Sequence, residues 1–585
     1  MSLNILSLIP KVIIAVDGTP IFNYKHLSIV QKMYDHHTFK IVVAHQIMDS
    51  VGSQTLDKSK WLGKLATIFM GDNSFIGIVT SVNMAYNSGH FGDLIISGFS
   101  KTILLESGPH LFSWVNRAFR DVISEVGAYA SGDLEVINEP KFSGTVNYMV
   151  QYKESNFAFL RRMACQYNEW FYYDGDNLLF GEPSQIPTYS LVYGVDTQNV
   201  QVSSSIKPVQ YGGFTYQSMT NQQMLGATQD TVKGLDEIGA IALKASTDLF
   251  NFYPLISSDP RVPDKESLDN VLKNLQAAAA ANLSTVSGSS TQRSLRPGVI
   301  IDFKYKIGQP FGKYLVTSVH HTSTDQFNYL NHFEAVPAGI KVLPEPNIPN
   351  PIAYPEIAIV RSNDDPENKG RVMVQTQWQG AQDLATNWVR VMTPDAGHSE
   401  KVGANRGFMS IPEVHDQVIL GYRYGDPNRP FVMGSLYHGL NGAGGDANNK
   451  MKSITTKSGS TIEFNDDDGS VLLSDHGSAN TFIDGAGNYT TNAAVTANIN
   501  VGGKENEPPT SFLIMDHNGN ITIDGKESIV LQVGTNAIII DSTGIHISSE
   551  CGDITCSAGN LIDIASPKNH IAGETKLDEG DVFIN

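Results

Sequence analysis

The sequence predicts a mainly β protein with some helices: small barrels over most of its length, then a trimeric β-helix or prism. Three observations predict it. From Ile454 onward, short apolar runs alternate with Gly-containing turns: residues 460–464 precede Asp468-Gly469, residues 471–473 precede His476-Gly477, and residues 512–515 precede Asn518-Gly519. One short strand and one turn, repeated, is the signature of a stacked β architecture. β-rich runs with turns between them fill the first hundred residues and residues 353–435. Between these regions, residues 343–351 place Pro at almost every second position, a stiff extended linker.

At 585 residues the chain exceeds what one core can organise, and five segments are expected. Residues 1–342 form a base of β-barrels with helical insertions. Its opening strands are residues 12–16, 39–43, 66–69, 75–79 and 94–98, which a small barrel would close. A helix is expected after Pro109, where Leu111, Phe112, Val115, Phe119, Val122, Ile123 and Val126 share one face. Another starts at Ser155, an N-cap, with Phe159, Leu160, Met163, Ala164 and Tyr167 inward. Helices follow over residues 235–250 and 264–283, and the Ser/Thr-rich residues 284–293 are expected to be a mobile loop.

Residues 343–352 are the linker. Residues 353–438 alternate as a barrel of five or six strands: 356–360, 370–377, 387–392, 407–411, 417–422 and 430–434. The Gly/Asn-rich residues 439–452 link this barrel to a rod, residues 453–585. Each rod strand is too short to hold a sheet alone and leaves open edges. Three copies about one axis would close those edges and bury every second side chain.

Composition narrows the function. The net charge of −19 opposes nucleic-acid binding, and an OB-fold nucleic-acid binder would need a basic groove beside Trp378 and Trp388. From Met451 onward there are 19 Asp and Glu against 6 Lys and no Arg, which favours solubility and discourages bundling. Three cysteines, Cys165, Cys551 and Cys556, make no disulfide framework and fit assembly in a reducing cytoplasm. The apolar residues 3–16 are split by Pro10-Lys11 and lack a positive n-region and cleavage site, so a strand rather than a signal peptide is expected.

Motifs spread over the whole length then carry a family resemblance. Gln31 with residues 35–39 (Asp-His-His-Thr-Phe), residues 151–162 followed by residues 170–173, and residues 312–319 with 329–333 belong to the base. More specific are residues 369–374 (Lys-Gly-Arg-Val-Met-Val) with Trp378, and residues 424–437, which contain Gly425-Asp426-Pro427-Asn428-Arg429-Pro430. In these the chain resembles the VgrG spike proteins of bacterial type VI secretion systems, similar in turn to fused hub and spike proteins of contractile phage tails. It departs from the pattern at Asn156, where the family has Asp, and at the more basic Arg161-Arg162.

The resemblance implies phage-hub-like barrels, an OB fold for the barrel of residues 353–438, and a homotrimer whose pseudo-sixfold hub sits on a hexameric ring of Hcp tube protein. It also implies baseplate proteins, a secreted effector and a conical PAAR-type tip as partners, with assembly in the cytoplasm and translocation out of the cell into a target. The hub-spike of a phage tail, a pyocin or an extracellular contractile injection system has the same parts. The tip is expected at Val582, Phe583, Ile584 and Asn585, where threefold symmetry would gather apolar side chains and open strand ends.

No catalytic residue, metal or cofactor is expected. Walker A, His-Glu-x-x-His and Gly-x-Ser-x-Gly patterns do not occur. Asp466-Asp467-Asp468-Gly469 breaks the EF-hand frame, because Phe464 falls at the first ligand position, and turn chemistry accounts for it. Residues 442–446 lack the order of calcium-binding nonapeptides. His36-His37 and His320-His321 point to opposite faces of their strands, and His546 and His570 stand alone. A β-helical polysaccharide hydrolase or lyase would need a groove with paired carboxylates, which the short acidic repeats do not supply.

Overall fold

The computed structural model describes the chain from Val12 to Gly573, except residues 45–59, 88–89, 131, 258–261, 263, 307–308, 345, 347, 441, 443–446, 504–506, 569 and 571. Two units result, Met1–Leu436 and Tyr437–Asn585. Among the described residues no helix is long and apolar enough to cross a membrane.

Thirteen strands of the first unit share one sheet. Strands Val12–Val16, Leu65–Met70, Asn73–Asn87, His90–Ser100, Thr38–Ala44 and His26–Lys32 form one half. The half containing Gln309–Ser323 joins it by antiparallel pairing, Ser318 opposite Lys32 through Ser323 opposite Leu27. Alternation in sequence becomes alternation in burial: Val12, Ile14 and Val16 face the core while Ile13 faces out. At Gly98 an added Cβ would lie 1.9 Å from the Ile78 carbonyl oxygen, so only glycine lets these strands approach. Phe39, Phe75, Phe119, Phe159, Phe171 and Phe180 fill the core.

Three helices appear as expected. Asn156–Gln166 is capped by Ser155, whose hydroxyl accepts from the Ala158 N–H at 3.1 Å. Glu237–Leu249 and Lys265–Ala281 are capped by Asp236 and Asp264 in the same way.

Two expectations for the hub fail. The helix after Pro109 is half strand: His110–Ala118 pairs with Thr145–Glu154, and only Phe119–Gly127 is helical, burying Phe119, Val122, Ile123 and Val126. Apolar residues at 111, 112 and 115 fit either period, and a partner strand some thirty residues on decides. Residues 284–293 are not a loop, because Ser284–Ser290 is a central strand between Thr197–Ser204 and Tyr329–Pro337. Of its inward positions only Val286 is apolar, Ser284 and Ser290 being hydroxyls and Gly288 having no side chain, so one residue is too little apolar pattern to mark it. Ser290 Oγ donates to the Asp196 carbonyl and Ser284 Oγ to Asp236 Oδ2, both at 2.9 Å, which removes the cost of burying them.

The OB barrel has a four-stranded sheet, Met373–Thr376, Glu356–Ser362, Gln417–Tyr422 and Pro430–Ser435. Bridges Val372–Val389 and Val391–Val432 close it through residues 389–391. Its core is Ala358, Val360, Val372, Val374, Val389, Val418, Leu420 and Val432. The expected strand 407–411 is not in this ring. Gly403–Gly407 instead pairs with Ala396–Ser399 as a separate hairpin, exposed and without an apolar face.

The second unit is built of antiparallel meanders with five, three and three strands. A β-helix, which stacks coils through parallel pairing, is not shown: every strand pairing here is antiparallel between sequence neighbours. The turns explain this. Asp484 Oδ1 accepts from the N–H groups of Ala486 and Asn488, while Asn488 Nδ2 donates to Asp484 Oδ2. Asp516 repeats the pattern with Asn518 and Asn520. Such loops return the chain beside itself.

Candidate assembly surface

Pairing register decides which side chains share a face, since directly opposed residues point the same way. In the meander of Thr496–Val501, Ser511–Asp516 and Ile521–Gly525, Ile499 lies opposite Leu513 and Leu513 opposite Ile523, while Ala497 lies opposite Met515 and Met515 opposite Ile521. One face is therefore Ala497, Ile499, Val501, Leu513, Met515, Ile521 and Ile523. Asn498, Asn500, Thr522 and Asp524 are on the other, with Phe512 and Ile514.

The next meander, Ser528–Val533, Asn536–Asp541 and Gly544–Ser548, gathers Ile529, Leu531, Val533, Ile538, Ile540, Ile545 and Ile547 on one side. The five-stranded one gathers Ile454, Ile462, Phe464, Val471, Leu473, Ile483 and Tyr489. These faces are uncovered: Ile521 is 67% and Val533 82% exposed. Among the described residues of this unit no hydrophobic side chain is buried. Apolar faces of this extent on a single chain mark an interaction surface.

The residues of the most specific motifs do a different task, holding the OB barrel to the hub. Asn428 Oδ1 accepts from the Val150 N–H at 2.8 Å, an edge donor of strand Thr145–Glu154. Asn428 is itself held by Asp426, which also pairs with Arg429 at 3.0 Å. Glu356 accepts from the Tyr152 hydroxyl and from Trp378 Nε1. Gln379 Nε2 reaches Ser113 Oγ at 2.9 Å and the buried Tyr148 hydroxyl at 3.3 Å, and burial pushes the Tyr148 hydroxyl up in pKa. Asp365 and Arg371 form a two-pronged pair at 2.6 and 2.9 Å. Those Arg371 hydrogen bonds hold the Asp365 carboxyl well below the usual carboxylate range. The contacts of Glu356 with Tyr152 and of Gln379 with Ser113 and Tyr148 leave no local signal in the sequence, because these partners lie more than 200 residues apart.

The remaining singled-out residues separate as follows. Val582, Phe583, Ile584 and Asn585 lie outside the described residues, as do residues 443–446 of the Gly-rich segment. His37 and His321 are fully buried, whereas His36 and His320 point away from them. Gln31 joins the two buried rings, its Nε2 3.3 Å from His37 Nδ1 and its Oε1 2.8 Å from His321 Nε2. Burial pushes both imidazoles down to about 3. Asp468 accepts from the Ser470 N–H within its turn. Cys165 is a buried thiol, and Cys551 and Cys556 are exposed thiols. Among the described residues no group of three or more His, Cys, Asp or Glu is placed to hold a metal ion.

Comparison with known proteins follows the same division. The family profile described as phage tail baseplate hub (GPD) matches residues 36–327. The one described as type VI secretion system/phage-baseplate injector OB domain matches residues 356–437. The chain is 20% identical over 328 residues to the actin cross-linking toxin VgrG1 of Vibrio cholerae, covering 50% of this chain and 28% of that protein. It is 34% identical over 134 residues to the type VI secretion system spike protein VgrG4b of Pseudomonas aeruginosa, covering 21% and 16%. The match thus spans less than a third of these relatives' lengths. A chain of the Francisella PdpA-VgrG complex in its lidded form has the same fold, with a TM-score of 0.51 at 8% identity over 82% of this chain and 79% of that one. With a baseplate hub domain and an injector OB domain in one polypeptide, the chain belongs to the VgrG-type family of type VI secretion and contractile-tail hub-spike proteins.

Proposed function

We propose that this chain is the structural, homotrimeric spike of a type VI secretion system. Three copies cap the Hcp tube on the baseplate, carry a secreted effector and a PAAR-type tip, and puncture the target envelope when the sheath contracts. Assembly takes place in the cytoplasm and translocation follows; catalysis has no part in this reading. The observation that carries it is the second unit's architecture: three meanders, each with an uncovered apolar face, and no buried hydrophobic side chain among the described residues. Burying one such Ile or Leu between copies contributes about 1.5–3 kcal/mol. Light scattering of the purified full-length chain is expected to give about three times the monomer mass. A stable monomer overturns the reading.

In this proposal residues 343–352 and 439–452 are the linkers around the OB barrel, and the tip docks on Val582, Phe583, Ile584 and Asn585. A chain ending at Asp581 is expected to trimerise but to lose a co-expressed PAAR-type protein in a pull-down. Equal recovery by both chains rules out these residues as the docking face. The hub-spike of a phage tail or related injection system is the neighbouring reading, and genes for sheath, tube and PAAR proteins beside this one distinguish the two.

A further inference from the structure

The hub carries a groove of about 490 Å³ where strand Thr145–Glu154 passes into helix Asn156–Gln166, with Glu106, Ile348 and Pro349 on its walls. Its charges are unequally matched. Glu154 is taken up by Arg162, whose Nε and Nη2 both lie 2.7 Å from it. Glu106 meets the His36 ring 3.2 Å from its Nε2, but burial holds that imidazole below its ordinary value, so Glu106 keeps its charge and offsets one cation of the groove. The two cations that line the groove have no such partner: among the described residues neither Arg161 nor Lys153 meets a carboxylate. Arg161 Nε is buried without an acceptor, a state that native interiors avoid. Lys153 sits at a β-bulge with φ +53°, its ammonium 5.3 Å from the Tyr152 ring centroid. A lysine is strained in this region, and a bulge re-aims a side chain.

We propose that this groove binds an acidic peptide segment of a partner protein, one carboxylate meeting the Arg161 guanidinium and Lys153 supplying a second cation. Ile348 and Pro349 give an apolar wall for a neighbouring side chain of the peptide. The occupant is a short segment rather than a polyanion, because the chain as a whole carries −19. An extended anionic surface meets that field, whereas a few residues in a groove meet the local cations. The inference stands independently of trimerisation, since every residue it uses is in one chain.

Fluorescence anisotropy on the full-length chain tests it, with a labelled glutamate-rich heptapeptide containing one leucine, beside the same peptide carrying glutamine for glutamate. Saturable binding of the glutamate peptide alone is expected, weakened by salt. Arg161→Ala lowers affinity about tenfold and Lys153→Asn about threefold; asparagine tolerates positive φ, so the second variant keeps the fold. Three results overturn the proposal: no saturable binding of the glutamate peptide, equal binding of both peptides, or unchanged affinity in the variants. If Arg161→Ala does not fold, Lys153→Asn and the glutamine peptide decide the matter.

Discussion

Gln31, His37 and His321 sit at the seam between the two halves of the hub sheet, where Gln31 offers its amide to one ring and its carbonyl oxygen to the other. Tyr329 completes the chain at 2.6 Å from His321 Nδ1. Charging either ring would leave a cation in the core. The folded values, about 3, lie below the ordinary imidazole value of 6.5. Between these limits the unfolded chain binds more protons, so this stability is present above 6.5 and is lost as pH falls. Each ring contributes a slope of up to about 1.4 kcal/mol per pH unit. Urea denaturation of the hub between pH ~5 and ~6.5, above the carboxylate range, is expected to show stability rising with pH. The slope should flatten in the His37→Gln, His321→Gln double variant, and an unchanged slope would show that these rings are not its source.

At the scale of elements, short-range pattern and long-range partner divide the outcome. The capped helices Asn156–Gln166, Glu237–Leu249 and Lys265–Ala281 carry their start signals within four residues, and each begins where Ser155, Asp236 or Asp264 places it. Strand Ser284–Ser290 has no such signal, because serine is buried there only through partners supplied by Asp196 and Asp236. The spike meanders present a sharper test, because neighbouring residues have opposite surroundings. Ile523 belongs to the apolar face and Thr522 to the polar one. Ile523→Asp is expected to cost the assembly about 2–3 kcal/mol or more per chain and to shift its dissociation to higher concentration in sedimentation. Thr522→Asp should leave dissociation within about twofold. Equal effects at the two positions would show that the apolar face is not the contact.

For the whole molecule, the two units differ in what they can do alone. Met1–Leu436 contains the hub and OB cores, whereas the residues from Tyr437 on bury no hydrophobic side chain among those described. A chain ending at Gly439 is therefore expected to fold, with the joint between Asn428 and Val150 intact, yet to trimerise far more weakly and melt at a lower temperature. Loss of the hub's own cooperative unfolding in that truncated chain would show instead that the first unit depends on the second.

The sequence by itself determined that the hub precedes the barrel, the capped helices, the acidic character of the last part and the alternation that makes the strands of the second unit two-faced. These depend on neighbours within a few residues, and on composition, which folding does not change. Only the tertiary structure decided that His110–Ala118 is a strand, that Ser284–Ser290 is buried, and that Asn428, Glu356 and Gln379 hold the barrel to the hub. Asn428 and Val150 are 278 positions apart. A hydrogen bond across that distance leaves no periodicity in the chain, because its donor and acceptor meet only where hub and barrel pack together, around Tyr148, Val150, Tyr152 and Ala353.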